Sequence, residues 1–118
     1  MIKNYFTKQE LLEKVLQAKL FDCGRGLYPQ EYKDALSTVS GMWQQPDELV
    51  DLLMFLQNKN IKTFLNIGTF NGITFNLISD ILNHFTDVKC ISVDTLDHNP
   101  IKNKNYFYEI GKIGRAHV

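Results

Sequence analysis

The stretch from Ile61 to Asp94 constrains the fold more than any other part of this 118-residue chain. Thr63-Phe64-Leu65 with Ile67 reads as a short buried strand, and Gly68 to Gly72 as a tight loop. Ile73, Leu77, Ile78, Ile81 and Leu82 then recur at helical spacing and end near His84. Val88-Lys89-Cys90-Ile91-Ser92-Val93, closed by Asp94, returns to strand character. Strand, loop, helix and strand in that order predict a βαβ unit with parallel strands and a right-handed crossover. The expected class is therefore α/β.

The loop after the first strand carries the chemistry. A glycine just past a parallel strand lets backbone approach a ligand closely. A second glycine lets the next helix pack tightly on the sheet. Open α/β folds bind ligands at this end of their strands. A dinucleotide fingerprint requires G-x-G-x-x-G. Counting from Gly68, its second and third glycines are replaced by Phe70 and Ile73, so NAD and FAD are poor candidates. A phosphate-binding P-loop requires Gly-Lys-Ser/Thr, whereas Gly72 is followed by Ile73-Thr74. Asp94 ends the second strand 94 − 72 = 22 residues past Gly72. A carboxylate there can accept hydrogen bonds from both hydroxyls of a ribose, as in dinucleotide folds at ~20 residues' separation.

Upstream, Thr7 and Glu10 have capping-box spacing, and Leu11, Leu12, Val15, Leu16 and Leu20 continue at helical intervals. Asp22-Cys23-Gly24-Arg25-Gly26 is expected to end that helix. Pro29 can open a short second helix, with Tyr32, Ala35, Leu36 and Val39 on one side. Pro46 suits the first position of a further helix, Asp47 and Glu48 suit its positive end, and Leu49, Leu52, Leu53 and Leu56 form its apolar stripe, widened by Val50 and Phe55. Asn58-Lys59-Asn60 stops it. After Asp97 the pattern fades; Tyr106-Phe107-Tyr108 is compatible with strand or helix.

Composition removes several functions. Thirteen basic and thirteen acidic residues give a formal net charge of +0, so no global basic field exists for nucleic acid or an anionic membrane. No run approaches the ~20 apolar residues of a membrane helix, and the amino terminus lacks a signal-peptide core. Cys23 and Cys90 are too few for a disulfide framework. A cytoplasmic setting is expected. Cys90 reads as a reduced core thiol, His84 as a helix-end residue, His98 as a turn residue, and Lys102/Lys104 as a solvated loop. Trp43 is divided evenly between the core and a place under the glycine loop.

Ile67-Gly68-Thr69-Phe70-Asn71-Gly72 resembles the first motif of class I S-adenosylmethionine-dependent methyltransferases, acidic-x-Gly-x-x-x-Gly at the end of the first strand. It is most similar to the small-molecule O-methyltransferases around catechol O-methyltransferase, which favour Ile-Gly-Thr-aromatic-x-Gly. Trp43-Gln44-Gln45-Pro46 with Leu49, Leu52 and Leu53 resembles their lead-in helix. The resemblance covers residues 41–97. It implies a Rossmann-like methyltransferase fold, here incomplete, with amino-terminal helices and the first βαβ unit. Residues 1–60 would be the helical lead-in and 61–111 the start of the cofactor-binding domain. It implies S-adenosyl-L-methionine as cofactor and a small molecule or sugar as methyl acceptor. Gly68, Thr69, Phe70 and Gly72 would shape the methionine pocket, Asp94 would hold the ribose, and Asn66 would occupy the place of the family's usual carboxylate. No catalytic base is named: Asp97 and Glu109 are the visible acids, and the family's catalytic and metal-binding acids come from later strands. No metal ligand set is expected from these residues.

Two other readings remain at this level. One is a cofactor-free Rossmann-like domain, which the Asn66 substitution favours. The other is a cephalosporin-hydroxylase-like α/β enzyme, which would require a His/Asp metal set. Finally, Lys112-Ile113-Gly114-Arg115-Ala116-His117-Val118 is expected to be a non-native tail. It resembles the in-frame translation of AAGATCGGAAGAGCACACGTC, a sequencing-library adapter. It holds one of only two arginines, Arg25 and Arg115, in a chain otherwise rich in A/T-coded residues. A truncated, poorly folding product is the corresponding expectation.

Overall fold

The computed structural model describes residues 5–68, 72–94, 102 and 105–110. Thr69, Phe70, Asn71, Asp97, His98, Lys104 and the 112–118 tail lie outside them. The chain divides into two compact units, residues 1–60 and 61–118.

The first unit begins with α1 (Lys8–Gln17). Its capping box is formed: Glu10 N–H donates to Thr7 Oγ1 at 3.1 Å, and Thr7 N–H donates to Glu10 Oε1 at 2.8 Å. The bond from the Thr7 backbone holds the Glu10 carboxyl below its ordinary pKa, helped by the Thr7 side chain. The helix stops sooner than its leucine spacing suggests. Lys19 takes a left-handed φ of 74°, and Leu20 leaves the helix for β1 (Leu20–Phe21). A single residue with a side chain in that region breaks the helical ladder without any glycine.

Residues Gln30–Ala35 form a 3₁₀ helix entered through Pro29. Its turn ends at Ala35 and not beyond, because Leu36–Ser37 become β2, parallel to β1 in the register Leu20↔Leu36 and Phe21↔Ser37. Val39 is thus exposed rather than on a helical face. Met42 extends the arrangement on the other side of β1: Phe21 N–H donates to Met42 O and Met42 N–H donates to Lys19 O, each at 2.9 Å.

α2 (Pro46–Leu56) has proline in its first turn, with Asp47 and Glu48 beside it. Pro46, Leu49, Val50 and Leu53 are its buried residues. Leu52 and Phe55 point outward instead of joining the stripe, and the Lys59 ammonium lies over the Phe55 ring at 4.5 Å. α1 packs against α2 through Leu11 and Val15. The Gln57 side-chain amide closes this pair by bonding both ways to the Phe6 backbone, accepting from its N–H at 2.9 Å and donating to its carbonyl at 2.8 Å. Trp43 belongs to no core: it is half exposed and stacks on Phe21 with centroids 5.1 Å apart.

Tyr32 is buried and donates its hydroxyl to Asp47 Oδ1 at 2.7 Å. That bond, with burial, pushes its phenol up to about 12 from an ordinary 10.0. The folded state therefore holds the proton more tightly than the unfolded chain. Its stabilising contribution is complete below pH 10 and is lost as pH rises towards 12. Urea midpoints measured across that window should fall with pH, and Tyr32→Phe should flatten part of the fall. A wild-type midpoint constant across the window would exclude a neutral phenol on Asp47.

The second unit is a three-stranded parallel sheet in the order β3 (Thr63–Ile67), β4 (Lys89–Asp94), β5 (Phe107–Ile110), with α3 (Ile73–Phe85) joining the first two. This is the predicted βαβ unit, and Tyr106-Phe107-Tyr108 resolves towards strand. α3 covers one sheet face through the fully buried Phe75, which stacks on Phe64 of β3 and meets Tyr106 and Tyr108 edge-on at 5.9 and 5.5 Å. Two hydroxyls tie the helix to β5 and the residue before it, Tyr106 donating to Asp80 at 2.5 Å and Tyr108 to Asn76 at 2.7 Å. Burial, followed by the Asp80 bond, raises the Tyr106 phenol. At the helix's other end Asn83 accepts from Val88 N–H at 2.9 Å, setting the turn into β4. Cys90 is fully buried on the helix-covered face, as a core thiol. β3 is not buried as expected. Leu65 and Ile67 are 55% and 65% exposed, because they alternate onto the face opposite α3.

Candidate functional site

The carboxyl end of the sheet gathers Asn66, Gly68 and Asp94. Alternation places Phe64, Asn66, Cys90, Ser92 and Tyr108 on the α3 side, since Phe64, Cys90 and Tyr108 all contact helix residues. Asn66, Ser92 and Tyr108 form one row across the three strands. Gly68 and Asp94 lie two positions further along their strands at the same end, where Gly68 N–H donates to Val93 O at 2.8 Å. The parallel register is the cause: Ile67 pairs with Val93, so both strands finish together.

Both glycines use conformations that L side chains rarely adopt. Gly68 has φ 83° and Gly72 φ 81°. Gly72 is the left-handed cap that starts α3, and as a glycine it has no side chain with which to cap the helix. A Cβ placed on Gly68 would meet no atom of the described residues within 4 Å. Thr69 and Phe70, between them, lie outside the described residues.

Asn66 and Asp94 are both half-buried. Ser92 is 2% exposed, and its hydroxyl has no hydrogen-bond partner among the described residues; the same holds for Ser79 of α3. Asn76 and Tyr108 are additions that the glycine motif did not point to. The only signal for Tyr108 is its place in the Asn66–Ser92 row, which requires knowing the pairing of β5. Glu109 alternates to the opposite face, away from Asn66. Among the described residues, no group of three His, Cys, Asp or Glu is placed to hold a metal ion, and no helix is long and apolar enough to cross a membrane.

Chemically, among the described residues, this end offers a glycine with left-handed backbone, the Asp94 carboxylate and the Asn66 amide on parallel strands. A carboxylate suits vicinal hydroxyls as a hydrogen-bond acceptor. Comparison with family models, curated proteins and solved structures found no match.

Proposed function

We propose that residues 61–110 are the first part of a Rossmann-like methyltransferase domain that binds S-adenosyl-L-methionine, and that the parent protein transfers its methyl group to a small-molecule or sugar acceptor. The observation that supports this best is the placement of Gly68 and Asp94 at the same carboxyl sheet end, with no atom of the described residues within 4 Å of a Cβ placed on Gly68. The strand order β3-β4-β5, beginning at the glycine strand, is compatible with the same fold.

In this reading Gly68 and Gly72 admit the methionine end of the cofactor, and Asp94 accepts from the ribose hydroxyls. Asn66 supplies an amide where the family that the motif resembles usually carries a carboxylate. The bound cofactor would supply an electrophilic methyl group, and the protein's part is to position it for in-line transfer. The cofactor-free reading retains support from Asn66, which offers no charge to a cationic sulfonium or ammonium. Calorimetric titration with S-adenosylhomocysteine separates the two. Saturable binding supports the cofactor site, and its absence at the solubility limit of the ligand rejects it.

Asn66→Asp is the complementary experiment. It restores a carboxylate on a half-buried strand position facing the α3 side. Affinity for S-adenosylmethionine should rise by about three- to thirtyfold, the scale of a charge-assisted hydrogen bond over a neutral one. Unchanged or weaker binding in a variant that melts like wild type would show that position 66 does not face the cation.

A further inference from the structure

The sheet face opposite α3 is apolar at its centre and oppositely charged at its two ends. Leu65, Ile91 and Phe107 form its middle row, and Ile67 and Val93 the next row towards the carboxyl end. Leu65, Ile67 and Phe107 are 55%, 65% and 51% exposed, and Ile91 and Val93 are half-buried. Parallel sheets ordinarily have both faces covered, and contiguous exposed apolar surface of this kind marks a contact site. At the amino end of the same face stands Lys89, whose ammonium lies 5.4 Å from the Phe107 ring centre. At the carboxyl end stands Glu109, in register with Val93.

We propose that this face pairs with the same face of a second copy of the chain, about a two-fold axis lying between the sheets and perpendicular to the strands. The charge pattern selects this occupant and this geometry. Such an axis runs the two sheets antiparallel, so the Leu65–Ile91–Phe107 row of one copy lies on that of the other. It also carries Glu109 of each copy over the amino end of its neighbour. Glu109 then lies one strand spacing from Lys89 of the other copy, across the about 10 Å between packed sheets, within reach of two long side chains. An axis along the strands would instead set Lys89 over Lys89, with no carboxylate opposite. The self-complementary surface that a two-fold dimer requires is therefore present on one face.

Sedimentation equilibrium of the full chain, over a range of concentrations, tests the pairing. A saturable monomer–dimer equilibrium is expected. Leu65→Lys should abolish it, and thermal melting checks that this variant remains folded. Lys89→Glu and Glu109→Lys should each weaken association by about tenfold or more, and the double swap should restore it, because each changes a like-charge contact back into an unlike one. A chain that stays monomeric at all concentrations overturns the proposal. So does open-ended aggregation without a dimer plateau, or a double swap no better than the worse single one. The outcome is independent of cofactor binding, which occupies the end of the sheet and not this face.

Discussion

Gly68→Val is expected to remove S-adenosylhomocysteine binding altogether, while Asp94→Ala weakens it by about 1–3 kcal/mol, or about five- to 150-fold. The two losses have different origins. At Gly68 an added side chain would meet no atom of the described residues within 4 Å, so its volume enters the space proposed for the ligand. Its φ of 83° adds backbone strain of about 1–2 kcal/mol for a residue with a Cβ, so some loss of stability accompanies the change. Gly68→Asn provides the control. Asparagine tolerates left-handed backbone better than valine but still fills the space, so it should melt closer to wild type and yet fail to bind. At Asp94 the fold keeps its strand and loses only a carboxylate at the end of β4. Binding retained in both Gly68 variants would remove the loop from the site, and an unchanged affinity in Asp94→Ala would remove the ribose role.

The βαβ unit was legible because its periodicity switches twice within about thirty residues, and the switches fall at glycine and at Asp87-Val88. Parallel pairing then follows from a short crossover helix, and with it the meeting of Gly68 and Asp94. What sequence could not provide was anything set by a partner distant in the chain. Leu20 continues the leucine spacing of α1, yet it is a strand residue because its backbone pairs with Leu36 and it forms a bridge to Met42. The Tyr106-Phe107-Tyr108 run suits either element locally. Its strand state is accompanied by two hydroxyls reaching Asp80 and Asn76, over 26 and 32 residues. Leu65 and Ile67 look like buried strand residues in a sequence pattern, since apolar character does not state which face is covered. Asn66 shows the limit for function. Its identity was plain, but its row with Ser92 and Tyr108 required the register.

Gly41→Ala should be the most destabilising single-methyl change in the first unit, at about 3 kcal/mol or more. Gly41 is buried with φ 145°, in the region that favours glycine. A Cβ there would sit 2.4 Å from Phe21 N and 2.5 Å from Leu20 C. Both atoms are backbone of β1, and the same Phe21 N–H donates to Met42 O. No side chain can rotate away to relieve the contact, so β1 or the 41–43 segment must move and the pairing with Met42 is lost. Overpacking and backbone strain each cost about 1–3 kcal/mol, and here they act together. Against the about 5–15 kcal/mol that holds an ordinary domain together, that is a large share. Gly24→Ala isolates the strain contribution. Gly24 has φ 82°, but a Cβ there has nothing within 4 Å, so its loss should stay near 1–2 kcal/mol. Urea unfolding of both variants gives the comparison directly. Equal midpoints would mean that the close approach of Gly41 to β1 contributes nothing to stability. A Gly41→Ala midpoint well below that of Gly24→Ala would assign the difference to the Gly41–β1 contact, which no larger residue can make.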